Sequence, residues 1–361
     1  MTTDKPTPDD IRRLLAAVRY PGFPRDIVSL GMVADVAVEG GVARISIRLP
    51  GGRTDVPPVI ESAVAEALAP SGLRAELVVA PPAAASPGPP RTGPTPDQPV
   101  SLPGVRTLLA VSSAKGGVGK STVATNLACA FAAAGLRTGL LDADVHGPSL
   151  PIMMGTDARP LAAGGSRFHP VERHGVRCIS MGFFLDETSP VIWRGPMVAG
   201  LLRQFLADCE WGDLDVLVID LPPGTGDAQL TLAQQVRLSG AVVVTTPQDV
   251  ALRDVMRGVA MFRQVQVPIL GVVENMAGFD CPSCGKHDDV FGRGGGEAVA
   301  RAAGAPLLVS LPIDPAVRRS GDEGVPVALG EGAIADGYRR LAGTLAATLR
   351  LPGAESRVAD A

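Results

Sequence analysis

Aromatic residues make up only 4% of this 361-residue chain, and positive charge is in no surplus, with 33 lysines and arginines against 37 aspartates and glutamates. The first shortage argues against an aromatic-packed β-sandwich. With 46% hydrophobic residues and abundant Gly and Ala, it favours tightly layered α/β structure. The second, a net charge of −4, leaves no global basic field to attract nucleic acid. Long apolar runs are also missing: no stretch of about 18 uncharged apolar residues occurs, and the opening MTTDKPTPDD has no apolar signal core. The expectation is a soluble, cytoplasmic protein with neither a membrane nor a nucleic-acid partner. Five cysteines are too few for a disulfide framework at this length, and a reducing compartment suits them.

The length suggests about two domains. Residues 81–104, PPAAASPGPPRTGPTPDQPVSLPG, are crowded with proline and small side chains and read as a linker. As polyproline it would span at most ~70 Å at ~3.1 Å per residue. Ahead of it, residues 1–80 read as helix, strand, strand, helix, strand: a small α+β domain. DDIRRLLAAVRY puts Ile11, Leu14, Leu15 and Val18 at helical spacing. VADVAVEGGVARISIRL is a hairpin turning at Gly40-Gly41. Behind the linker, residues 105–351 alternate strand and helix, followed by a short tail over 352–361. TLLAVSS, LDVLVIDL, AVVVTTP and PILGVVEN are nearly continuous apolar runs, as parallel strands covered on both faces require. The fold class expected is α/β, a doubly wound, mostly parallel sheet.

AVSSAKGGVGKST follows the first of these strands and opens a helix. Glycines let successive backbone N–H groups turn toward a phosphate, and the helix N-terminus adds its dipole. Lys115, Gly116, Gly117, Val118, Gly119, Lys120, Ser121 and Thr122 are therefore the candidate nucleotide-binding residues, with Lys120 on phosphate and Ser121 on Mg²⁺. The strict Walker A pattern wants Gly where Ala114 stands, so the loop fits the deviant form Lys-Gly-Gly-x-Gly-Lys-Ser/Thr. LLDADVHGPS and LVIDLPPGTGD put Asp142, Asp144 and Asp220 at strand ends facing the same crevice. Asp220 is the candidate Mg²⁺ acid and Asp144 the candidate holder of the attacking water. Asp142 either joins them or merely caps its turn. The loop from Pro222 to Asp227 is the expected switch. Asn275, read as the end of a later strand, either bonds adenine or is a plain polar strand terminus.

CPSCGKHDD carries the one Cys-x-x-Cys of the chain, Cys281 and Cys284. A closed zinc site or an iron–sulfur cluster takes about four ligands. Either His287 with Asp288 or Asp289 completes a zinc knuckle within one chain, or the missing thiolates come from elsewhere. Cys129, Cys178 and Cys209 read as small core residues.

Taken together, KGGVGKST, DADVHGPSLP, WRGPM (Trp193 to Met197), DLPPGTGD and the Cys281/Cys284 pair resemble the Mrp/ApbC iron–sulfur carrier ATPases. These belong to the deviant-Walker class that also holds the Min-system and partition ATPases. DIVSLGMV, Asp26 to Val33, resembles the signature of MIP18 (DUF59) domains, whose usual cysteine is absent from GGRTDVPPV here. The resemblance implies ATP and Mg²⁺ as ligands and slow ATP hydrolysis. It also implies a homodimer in which Lys115 reaches the partner's phosphates, and a 4Fe-4S cluster bridged by Cys281 and Cys284 of both chains. Apo iron–sulfur proteins and cluster-assembly proteins would be the partners. The competing reading is a zinc-knuckle positioning or regulatory ATPase of the Min/partition type. Its membrane version needs a basic amphipathic C-terminal helix, which LRLPGAESRVADA does not supply.

Overall fold

The computed structural model describes residues 6–18, 26–28, 32–39, 41–47, 58–79, 100–144, 147–164, 167–184, 195–224, 227–248 and 251–352. Several expectations lie outside the described residues: Gly40 of the hairpin turn, residues 29–31 of the signature and most of the spacer. So do the tail from 353, Trp193 and Arg194, and residues 225 and 226 of the expected switch. The chain divides into two compact units, residues 1–93 and 94–361.

The first unit runs α1 (Pro8–Leu15), β1 (Val33–Glu39), β2 (Val42–Ile47), α2 (Pro58–Leu68) and β3 (Arg74–Val79). Thr7 and Asp10 form a capping box that starts α1, each side chain taking the other's backbone N–H. β1 and β2 pair antiparallel and β3 adds parallel to β2, in the order β1-β2-β3. The alternation along β2 sends Ala43, Ile45 and Ile47 into a core with Ile11 and Leu15 of α1 and Ile60, Val64 and Leu68 of α2.

The second unit contains β4 (Leu108–Ser112), α3 (Lys120–Ala133), β5 (Thr138–Asp142), α4 (Leu150–Met154), β6 (Leu161–Gly164), β7 (Arg167–His169), β8 (Val171–Arg173) and β9 (Val176–Ser180). It continues with α5 (Gly195–Ala207), β10 (Val216–Asp220), α6 (Asp227–Gln235), β11 (Gly240–Thr245), α7 (Ala251–Gln264), β12 (Ile269–Asp280) and β13 (His287–Asp288). The last elements are α8 (Gly295–Ala303), β14 (Leu307–Ile313), α9 (Pro315–Glu323) and α10 (Ala333–Thr348). A nine-stranded sheet has the order β13-β12-β11-β4-β10-β5-β9-β8, with β14 beside β12. Among the described residues only β8 and β13 pair antiparallel in it, and β6 and β7 form a separate hairpin.

Every residue of β4, β5, β10 and β11 is buried, because helices cover both faces. Leu109 and Val111 of β4 share one core with α3 and α10, while Leu108 and Ala110 share the other with α5 and Phe262 of α7. From β4 the chain crosses to one side of the sheet, and β11 lies on the other. The carboxyl end of β4 is thus the switch point where such sheets bind ligands. One expectation shifts here. Val100 is buried in the second core and donates its N–H to Gln235 O at 2.6 Å, and Leu102 packs on the same core. Packed chain therefore begins before residue 104, because two apolar side chains interrupt the proline-rich composition.

Candidate functional site at the carboxyl end of the sheet

The loop between β4 and α3 is shaped by Gly117 and Gly119, at φ 80° and 81°, a backbone region that favours glycine. Gly119 is the N-cap of α3, and buried Val118 pins the loop to the core beneath. Ser113 Oγ donates to Lys115 O at 3.0 Å, which fixes the loop's outer turn, and Lys115 is exposed. Lys120 behaves oppositely. Its side chain is 5% exposed, with Nζ 2.5 Å from Asp220 Oδ1 and 3.2 Å from Ser121 Oγ.

Asp220 closes β10 and lies opposite Asp142, the last residue of β5. Asp142 accepts from Ser180 Oγ at 2.8 Å and from the Asp144 N–H at 3.0 Å, so it does close its turn, but as one member of a buried acid pair. Burial, and then the like charge of Asp220, push the Asp142 carboxyl up to about 7. Burial raises Asp220 too, against the Lys120 ammonium that favours its ionised form. Two buried carboxylates thus share one ammonium. Lys120, Ser121, Asp142 and Asp220 converge, and Asp144 is tied to them through its backbone. The oxygens of Asp220 and Ser121 are the hard donors that Mg²⁺ takes.

Three features are not apparent in the sequence. Gln229 of α6 is 1% exposed. It accepts from Ser112 Oγ at 3.4 Å and donates through Nε2 to Pro222 O. With the Gly224 N–H bonded to Ser113 O at 3.1 Å, it fastens the chain after β10 to the end of β4. Glu274 is buried and accepts from the Gly296 N–H at 2.7 Å and Ser310 Oγ at 2.8 Å, so it satisfies an orphan donor at the start of α8. Asn275 does not end its strand. β12 continues to Asp280, and the Asn275 Nδ2 donates to Val118 O at 2.9 Å, bracing the phosphate loop.

β12 delivers the chain straight into the cysteine knuckle. The Cys281 N–H bonds Lys286 O at 3.0 Å and the Gly285 N–H bonds Cys281 O at 2.8 Å, with Gly285 at φ 70°. Backbone N–H groups of Ser283 and Cys284 point at the Cys281 sulfur, and these donors hold its thiol below the ordinary value. Cys281 is half-buried and Cys284 exposed, whereas Cys129, Cys178 and Cys209 are buried, as small core residues should be. His287 is engaged elsewhere: its Nδ1 lies 2.8 Å from Asp280 Oδ1 and its Nε2 3.1 Å from Asp289 Oδ1. Among the described residues no group of three or more His, Cys, Asp and Glu side chains is placed to hold a metal ion. Nor is any helix among them long and apolar enough to cross a membrane.

Both units of the chain have known relatives. Residues 104–346 match the family model described as NUBPL iron-transfer P-loop NTPase, and residues 8–76 match that of an iron–sulfur cluster assembly protein. An iron–sulfur cluster carrier protein of Synechocystis is 42% identical over 341 residues, 90% of this chain and 92% of the relative. One of Deinococcus radiodurans is 44% identical over 345 residues, 94% of each. Among solved structures, a nucleotide-binding protein of Archaeoglobus fulgidus in complex with ADP is 39% identical with a TM-score of 0.56, covering 64% of this chain and 91% of its own. A phosphate loop at the switch point, an accessible thiol pair just past β12 and relatives matched over nine-tenths of the chain place this protein in the family of NUBPL-type iron-transfer P-loop NTPases, the iron–sulfur cluster carriers.

Proposed function

We propose that the protein binds and hydrolyses ATP with Mg²⁺, and that two copies hold one 4Fe-4S cluster as cargo for delivery to apoproteins. The observation that carries this is the thiol pair itself. Cys281 and Cys284 stand accessible in a turn whose backbone already favours the thiolate, while His287, the neighbour best suited to complete a zinc site, is held by Asp280 and Asp289. Two thiolates per chain and about four cluster ligands are reconciled by twofold symmetry.

In this reading Lys120 leaves Asp220 for the incoming phosphates, and Mg²⁺ takes its place beside Asp220 and Ser121. The backbone N–H groups of 116–122 cradle the phosphates, and Asp144 orients the attacking water. Lys115, exposed on the outer turn of its loop, reaches the phosphates of the facing copy.

The test is anaerobic reconstitution of the full chain with iron and sulfide. The expected product is a brown dimer with about four irons and broad visible absorbance. Stoichiometric zinc in a chain that stays monomeric, with no such absorbance, would overturn the bridge in favour of a zinc-knuckle ATPase.

A further inference from the structure

The thiol pair follows β12, the strand whose Asn275 braces the phosphate loop, and the stretch between Asn275 and Cys281 is irregular. Up to Glu274, β12 is hydrogen-bonded to β11; beyond it that partner ends. On its other side β12 pairs Asn275 with Leu311 and then Phe279 with Ile313, so four steps along β12 answer two along β14. The extra residues form a bulge over Met276, Ala277 and Gly278. Met276 holds φ 61°, costly for a residue with a side chain, and Gly278 holds φ 89° against the His287 ring. At the near end of the bulge, Asn275 grips Val118 O, and its Nδ2 lies against Gly119, the N-cap of α3. At the far end is Cys281.

We infer that Asn275 and the Met276–Gly278 bulge couple nucleotide occupancy to the cysteine knuckle, by passing movement of the phosphate loop into the β12–β13 ribbon. This rests on the nucleotide-binding part of the proposed function. Charge alone is a poor messenger over this span. Six residues of strand reach at most about 20 Å at ~3.3 Å each. That is roughly two screening lengths at physiological salt. The chain itself is continuous, and between Asn275 and Phe279 its regular pairing breaks at a bulge whose first residue is already strained. Closing the loop on phosphates displaces Val118 and Gly119, against which Asn275 is packed. Asn275 is therefore a positioning residue for the knuckle.

The experiment measures alkylation of each cysteine by iodoacetamide, read by mass spectrometry, in reduced, cluster-free full chain. It is run without nucleotide, with Mg-ADP and with a Mg-bound non-hydrolysable ATP analogue, each at a concentration that saturates the variant in question. In the native sequence the rates at Cys281 and Cys284 should differ about fivefold or more between empty and filled states. Met276→Gly, which relieves the strained φ, and Asn275→Ala, which removes the grip, should each cut the response to below about twofold. Unreactive Cys129, Cys178 and Cys209 report that each variant remains folded. The inference is overturned if saturating nucleotide leaves the native rates unchanged, if both variants keep the full response, or if the response follows only the dimer fraction in parallel sedimentation runs. Because no cluster is present, the outcome is independent of the iron stoichiometry that tests the cargo.

Discussion

Removing the charge from Asp142 should make the protein more stable at high pH and flatten its pH dependence. In the folded protein its carboxyl titrates near 7, against 3.8 as an ordinary aspartate. A folded pKa raised above the unfolded one means that the native state binds the proton more tightly. The contribution is therefore fully present below about pH 4 and lost as pH rises through about 7. Between pH 5 and 8 one such group costs roughly 3 kcal/mol, at about 1.36 kcal/mol for each pH unit over which the folded state holds one more proton. Asp220, raised in the same direction, adds to the slope. Asp142→Asn cannot ionise, and its carbonyl still accepts one of the two bonds now made by Ser180 and the Asp144 N–H. The other donor loses its acceptor at a cost of about 1 kcal/mol.

The variant should thus be less stable than the native sequence at pH 4 and more stable at pH 8, with the curves crossing between. The assay is urea unfolding of the nucleotide-free full chain, followed by tryptophan fluorescence. Both tryptophans, Trp193 and Trp211, belong to the second unit, so the signal reports that unit alone. Equal slopes in the two proteins would show that Asp142 is not the buried acid responsible. A native stability that is flat from pH 5 to 8 would refute the burial argument altogether.

Lys120→Ala should abolish hydrolysis and weaken nucleotide binding, whereas Lys115→Ala should still bind but not turn over; a specific activity per subunit that stays flat down to monomeric dilutions would refute the action of Lys115 across the dimer. Gly119→Ala would drive a Cβ into Asn275 Nδ2. The left-handed φ alone costs a residue with a Cβ about 1–2 kcal/mol, so a fall of several degrees in the fluorescence-detected melting midpoint is expected, with looser nucleotide binding by fluorescent-analogue titration. Cys281→Ser and Cys284→Ser should each lose the reconstituted cluster yet bind nucleotide, and His287→Ala should keep it; iron loss in the His287 variant equal to that in the cysteine variants would put the imidazole among the ligands.

The phosphate loop is legible in the sequence because its chemistry fixes residue types at adjacent positions: a glycine wherever φ must be positive, a lysine where the helix starts. The doubly wound sheet is legible because strands covered on two faces leave unbroken apolar runs. Gln229 and Glu274 are not, since their meaning lies in partners far along the chain: Ser112 for one, Gly296 and Ser310 for the other. The length of β12 escapes the sequence for a related reason. Past Asn275 the hydrophobic signal fades into Met-Ala-Gly-Phe-Asp, and the partners that keep it extended are the two polar residues of β13 and, across a bulge, Ile313 of β14. A two-residue strand has no periodicity to read.

The burial of Cys129, Cys178 and Cys209 bears on how such a chain survives its own cargo. Ferrous iron and sulfide are indiscriminate toward thiolates, and five equally accessible sulfurs would offer many misligated products. Burial pushes the Cys129 thiol up to about 12 and the other two upward as well, so none of the three presents a thiolate at neutral pH. In the proposed reading, folding therefore sorts the sulfurs into two open to loading and three that are chemically silent. An unfolded or half-folded chain has lost that filter. If the chain carries a cluster as proposed, loading before folding is complete would scramble the ligand set, and a finished second unit would be the precondition for taking on metal.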